Sequence, residues 1–276
     1  MNFHDFAAQR GLIIKHVISG RWVRVPTVDH PNSKNGAYLF QEDFAVVQNW
    51  AIQEQAEVWH SGKVTTQEAK KRFIDAKKSV IDDIQSKNKA ASSKAKWILS
   101  QCELDKHAYL DSKGFPDLLG NVWRKEGQDP LLIIPMHYKK SVVGVQIIGI
   151  DGSKKFLSGQ KTSLAHFKIG NGSNIFLVEG YATGLSLQAA LKQIKIDYTI
   201  YVCFSAGNLA KLAKFLPKSV IICDNDKSGT GENVARESGL KYWLSDRVGD
   251  DFNDYHRRVG LFICSMGLKK FLYCVK

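Results

Sequence analysis

Three acidic groups stand out by residue type and spacing. Glu179 closes the run Ile175-Phe-Leu-Val-Glu-Gly180, and Asp224 and Asp226 close Val220-Ile-Ile-Cys-Asp-Asn-Asp226. Asp250, Asp251 and Asp254 fall in Asp250-Asp-Phe-Asn-Asp254. Carboxylates gathered without counter-charge repel one another. A divalent cation removes that cost, and hard oxygen ligands suit Mg²⁺, with Mn²⁺ as a substitute. Asp224 and Asp226, at i and i+2 of an extended chain, point the same way and can share one cation. The chain as a whole carries a formal net charge of +12. An acidic focus in so basic a protein points to metal-assisted phosphoryl transfer on nucleic acid.

The elements that must position these residues are legible as patterns. The apolar runs before Glu179 and Asp224 read as buried parallel strands. Ile175–Val178, Thr199–Phe204 and Val220–Cys223 are strand-like, while Thr183–Leu191, Asn208–Phe215 and Gly231–Ser238 are helix-like. This alternation predicts an α/β fold, a parallel sheet with helices on both faces. Ligands collect at the carboxyl ends of such strands. Gly180 permits a tight exit from the first strand, and Ser228-Gly-Thr-Gly231 frees backbone N–H groups for an anion. No G-x-x-x-x-G-K-[ST] occurs in the chain, which excludes a P-loop ATPase or helicase within it.

Upstream, residues 99–172 read as an α+β segment, with strands at Leu131–Pro135 and Val142–Ile148 and a turn at Gly149–Gly152 leading into Lys154–Leu157. Residues 63–98 read as a basic helix and linker. Thr65-x-x-Glu68 fits a capping box, and Ala69, Phe73, Ala76, Val80 and Ile84 form one apolar stripe. The segment holds ten Lys/Arg against four Asp/Glu, a balance of +6. Its Lys70, Lys71 and Arg72 are either phosphate-backbone contacts or a solvated face. Ser86–Lys96, rich in Lys, Ser and Ala, reads as a flexible joint. Residues 1–62 form a small β-rich module with a strand at Arg21–Val25 and a core of Trp22, Tyr38, Trp50 and Trp59. Residues 263–276 read as a tail after a catalytic domain over 173–262.

Composition narrows the class. Apolar residues make up 44% and charged residues 24% of the chain, which is ordinary for a globular protein of about two domains. No apolar run approaches the ~18 residues of a spanning helix, and the N-terminus lacks a signal-peptide layout. Five scattered cysteines without a C-x-x-C pair argue against a disulfide framework and against a zinc ribbon. The expectation is a reduced, cytoplasmic protein without zinc and without a membrane partner.

The ordered set of motifs resembles a known family. Ile175–Tyr255 resembles a Toprim domain, with Glu179 after the first strand, Asp224-x-Asp226 after a later one, and Asp250, Asp251 and Asp254 as a looser third cluster. The resemblance extends upstream through His107-Ala-Tyr-Leu-Asp-Ser-Lys-Gly114, Val143-Gly-Val-Gln146 and Lys154-Lys-Phe-Leu-Ser-Gly159, and onward through Phe204-Ser-Ala-Gly-Asn208. Over about residues 99–257 the chain is similar to the DnaG-like primases of phages and conjugative plasmids, without their zinc module or a fused helicase. The resemblance implies a Toprim parallel sheet preceded by an α+β primase lobe, and synthesis of RNA primers on single-stranded DNA from ribonucleoside triphosphates. A separate replicative helicase is an implied partner. In this reading Asp224 and Asp226 hold Mg²⁺, Asp251 and Asp254 complete the site, and Glu179 takes a proton or holds metal. Lys154, Lys155, Lys161 and Arg124 would guide template and phosphates. A Toprim nuclease and a non-catalytic nucleic-acid-binding adaptor remain the alternatives.

Overall fold

The computed structural model describes residues 1–49, 56–62, 67–227 and 229–273, with backbone alone at 67–74, 76–77 and 79–80. The chain divides into two compact units, Met1–Asp83 and Ile84–Lys276.

The first unit opens with α1 (Phe3–Gln9), a helix too short for periodicity to reveal. Asn2 starts it by accepting the Asp5 N–H at 2.9 Å, which satisfies one orphan donor of the first turn. Four antiparallel strands follow in sequential order: β1 (Trp22–Val25), β2 (Gly36–Phe40), β3 (Phe44–Asn49) and β4 (Glu57–His60). Phe3, Ala7, Leu12, Tyr38, Val47 and Trp59 meet in its core. The buried Tyr38 hydroxyl donates to the His16 carbonyl at 3.1 Å and accepts the Ile18 N–H at 2.9 Å. Of the four aromatics expected in this core, Tyr38 and Trp59 are there. Trp22 is half-buried outside the cluster, and Trp50 lies outside the described residues.

A single helix, α2 (Gln67–Ser100), occupies the next 34 residues. Thr65 of the expected capping box, and the side chains of Lys70, Lys71, Arg72 and most of the apolar stripe, lie outside the described residues. Ser86–Lys96 is helical rather than a flexible joint. It contains neither Gly nor Pro, and Ala91, Ala95 and Ile98 bury one face, the last two against Trp123, Ile133 and Val145. The Ser92 hydroxyl adds a 2.6 Å hydrogen bond to the Val142 carbonyl. Tertiary packing of such a face stabilises a helix more than local propensity does.

The rest of the second unit holds two sheets. The first runs sequentially and antiparallel through β5 (Cys102–Asp105), β6 (Gly120–Trp123), β7 (Leu131–Tyr138), β8 (Ser141–Ile148) and β9 (Lys154–Phe156), with α3 (Ala108–Ser112) between β5 and β6. Alternation along β7 sends Ile133 toward α2, while Leu132 and Ile134 enter a larger core shared with the second sheet.

That second sheet comprises β10 (Phe167–Gly170), β11 (Ile175–Val178), β12 (Thr199–Val202), β13 (Val220–Ile222) and β14 (Tyr242–Trp243). Their order is β10-β12-β11-β13-β14, parallel except for β10. Its helices are α4 (Tyr181–Gln193), α5 (Ala206–Phe215), α6 (Thr230–Ser238) and α7 (Phe252–Tyr273). Phe176 and Val178 pack with α4 and α7 on one face, whereas Leu177 and Ile221 pack with α5 and α6 on the other. Both alternations of each strand are therefore apolar, which made these strands readable as continuous runs.

Residues 263–273 are not a tail. α7 kinks at Gly260, whose φ of 81° lies in the left-handed region that glycine tolerates, and continues with Cys264 and Leu268 fully buried. No described helix is long and apolar enough to cross a membrane.

Candidate active site at the switch point of the second sheet

The chain leaves β11 toward β12 on one side, then crosses back to β13 on the other. The crevice between β11 and β13 is thus the topological switch point, where open α/β sheets bind ligands. Val178 pairs with Ile222 across it. Glu179 follows Val178 directly and Asp224 stands one residue beyond Cys223, which brings the two carboxylates within electrostatic reach although 45 residues separate them in sequence.

Backbone hydrogen bonds hold each carboxylate in place. The Glu179 carbonyl accepts the Phe204 N–H at 2.9 Å, tying it to the end of β12. Asn225, between the two aspartates, is anchored on the opposite side. Its N–H donates to the Asp250 carbonyl at 3.0 Å, its carbonyl accepts the Gly249 N–H at 2.6 Å, and its amide donates to the Ser245 carbonyl at 2.9 Å. Alternation of an extended chain then sends Asp224 and Asp226 the other way together. Gly231, in the first turn of α6, lies so close to Asp224 that a Cβ there would sit 3.2 Å from the Asp224 carbonyl oxygen.

The third acidic cluster divides by role. Asp250 is an ion-pair partner of Arg258 at 2.9 Å. Asp251 and Asp254 form a reciprocal cap on α7. Asp251 Oδ1 accepts the Asp254 N–H at 2.8 Å, and Asp254 Oδ2 accepts the Asp251 N–H at 3.3 Å. Asp251 is nonetheless close enough for its charge to raise the pKa of Asp224.

Four carboxylates share one electrostatic field. Burial pushes Asp224 up to about 7 from its ordinary 3.8, with Asp251, Glu179 and Asp226 adding to the rise and Lys154 opposing it. Burial raises Glu179 as well, helped by Asp226 and again opposed by Lys154. Asp251 is raised by burial, against the Asp254 N–H and the Lys113 ammonium. One oxygen of Asp224 is buried and has no hydrogen-bond partner among the described residues. The Tyr109 hydroxyl, on α3, is in the same position, and burial together with the Asp251 charge holds its pKa above the ordinary value.

The expected cationic residues do not all converge here. Lys154 does, from β9. Lys155, its neighbour on the other face of the strand, acts instead on Asp151. Lys161 stands 4.4 Å over the Tyr138 ring, and Arg124 is ion-paired with Asp105. Lys113, and Arg247 and Arg257 beside Asp254 in an open groove, are cations near the site to which the sequence reading gave no role. Lys113 and Tyr109 both fall in the His107–Gly114 motif, which was the available signal.

The donor set is all oxygen, and its like charges are mutually destabilised, so it fits a hard divalent cation. Among the described residues no group of three or more His, Cys, Asp or Glu is placed so that it could hold a metal ion by itself. Part of the capacity of Asp251 and Asp254 is committed to capping α7. Mg²⁺ commonly takes one or two carboxylates and completes its shell with water and substrate phosphates, so it does not require three protein ligands.

No family model matches the chain, and no curated protein matches it. Among solved structures it is similar to a chain of the bacteriophage T7 lagging-strand DNA polymerase complex with primase domains of two gp4 subunits bound to an RNA/DNA hybrid and dTTP. Identity is 14%, coverage is 64% of this chain and 90% of that one, and the TM-score is 0.42.

Proposed function

We propose that this protein is a DNA-dependent primase with a Toprim-type site, a nucleotidyltransferase that joins ribonucleotides on single-stranded DNA. The observation that carries the reading is the meeting of Glu179, Asp224, Asp226 and Asp251 at the switch point, with Lys154 set against them. In primer synthesis a 3′-hydroxyl attacks an α-phosphate and pyrophosphate leaves, so positioning and charge neutralisation dominate catalysis. Asp224 and Asp226, with Asp251 beside them, would hold Mg²⁺ or Mn²⁺, which when bound neutralises triphosphate charge. Glu179 would accept the hydroxyl proton, and its raised pKa makes it a better base near neutrality than an exposed carboxylate. Lys154 supplies a fixed positive charge for a phosphate oxygen.

The test is direct. The purified protein is incubated with single-stranded DNA, Mg²⁺ or Mn²⁺ and labelled ribonucleoside triphosphates. Metal-dependent, template-dependent short oligoribonucleotides are expected. Degradation of the DNA without ribonucleotide incorporation would reassign the nucleophile to water and the protein to the nucleases. Neither product would leave a nucleic-acid-binding role, with a separate helicase as the partner to test.

A further inference from the structure

β9 carries more toward the crevice than a lysine. Lys154 and Phe156, at i and i+2, share one face of the strand. That face is the inward one, since Lys154 pairs with Ile148 and Phe156 with Gln146, and Gln146 in turn pairs with Ile134, while Ile134 and Ile148 both lie in the shared core. Phe156 is nevertheless 43% exposed. Its ring meets that of Phe204 edge to face, with centroids 6.3 Å apart. Phe204 holds the Glu179 carbonyl, and does so at a φ of 68°, unusual for a bulky residue. Backbone strain of this kind persists where the surroundings over-determine it, often at ligand sites.

Gln146 is the second observation. Its side chain is largely covered, at 5% exposure, yet none of the described residues hydrogen-bonds to its amide, which is not among the fully buried polar groups and so keeps the little solvent access the residue has. An amide left accessible and unbonded on an otherwise covered side chain is free to bond a ligand. Directly across from Phe156 in the ladder, it lies within reach of anything stacked on that ring.

We infer that Phe156 and Gln146 form a nucleobase subsite, the ring stacking on the base and the amide bonding its edge, for the nucleotide whose phosphates lie by Lys154 and the carboxylates. The inference rests on the proposed nucleotidyltransferase reading and adds to it the group that holds the base. An amide offers one donor and one acceptor side by side, so it can discriminate between bases, whereas an aromatic face accepts any of them.

The experiment titrates the full chain, in Mg²⁺, with ATP, with UTP, with inorganic tripolyphosphate and with a short oligodeoxythymidylate. Phe156→Ala should weaken ATP binding about tenfold, the scale of one lost base–aromatic stack. Tripolyphosphate binding should not change, and Phe156→Trp should restore ATP. Gln146→Leu should alter the ATP-to-UTP affinity ratio without moving tripolyphosphate. Equal weakening of ATP and tripolyphosphate by Phe156→Ala would overturn the subsite, because it would mean general damage. A loss confined to the oligodeoxynucleotide would also overturn it. If the wild type makes primers while Phe156→Ala binds ATP normally, the subsite alone falls. If the wild type binds neither ATP nor tripolyphosphate, the nucleotidyltransferase reading falls with it.

Discussion

Asp224 should make the folded protein less stable as pH rises, and replacing it should remove that contribution. Unfolded, its carboxyl titrates near 3.8, and folded near about 7, because it is buried among Asp251, Glu179 and Asp226. Between those values the folded state keeps the proton and the unfolded state has lost it. Stability therefore falls as pH rises through this window and stays low above it. A rise of about three pH units, at about 1.4 kcal/mol each, sets an upper limit of about 4 kcal/mol. Asp224→Asn keeps the shape and removes the titration. Without divalent cation, at pH 8, it should melt higher than the wild type by up to about 8 °C, taking about 2 °C per kcal/mol for a domain of this size. Mg²⁺ at a hundred times its dissociation constant should return about 2.7 kcal/mol to the wild type and far less to the variant. Primer synthesis should fall at least about a hundredfold, as when other preorganised charge-stabilising groups are removed. The assay is thermal denaturation of both proteins from pH 4 to 8, with chelator and with Mg²⁺. Parallel pH curves for the two proteins would refute the reasoning, because Asp224 would then not be a destabilised buried charge.

Other consequences can be measured on the same preparation. Leu268→Ala should cost about 2–5 kcal/mol in urea denaturation, because Leu268 is fully buried beyond the α7 kink; a change under 0.5 kcal/mol would return this segment to the status of a tail. Neutralising Lys70, Lys71 and Arg72 together should lower the slope of log affinity for single-stranded DNA against log salt by about two, at about 0.7 per contact. An unchanged slope would make this part of α2 a solvated connector. Elemental analysis should find no stoichiometric zinc, since the first 62 residues hold no cysteine and only His4, His16, His30 and His60. One tightly bound zinc per chain would overturn that expectation.

The elements around the site were legible because their causes are local. β11 and β13 read as buried strands because both of their faces meet helices, and α5 and α6 followed at the expected spacing. The i, i+2 placement of Asp224 and Asp226 already implied a shared direction. What local pattern left open was set by long-range packing. α2 stays helical through Ser86–Lys96 because Ala91, Ala95 and Ile98 are buried, one turn after another, and Lys-rich composition carries no trace of that partner. Asp250, Asp251 and Asp254 look alike in sequence, but one is neutralised by Arg258 and the others cap α7, and only contact distances separate them. Lys154 and Lys155 are adjacent and chemically the same, and the face each takes in β9 depends on the register of β9 against β8. The nearness of Glu179 to Asp224 depends on strand order. Had β13 continued beyond β12, the same two motifs would have stood a strand apart. The crossover is decided by how α4 to α7 share the two faces of the sheet, a property of the assembled core and not of any window of the chain.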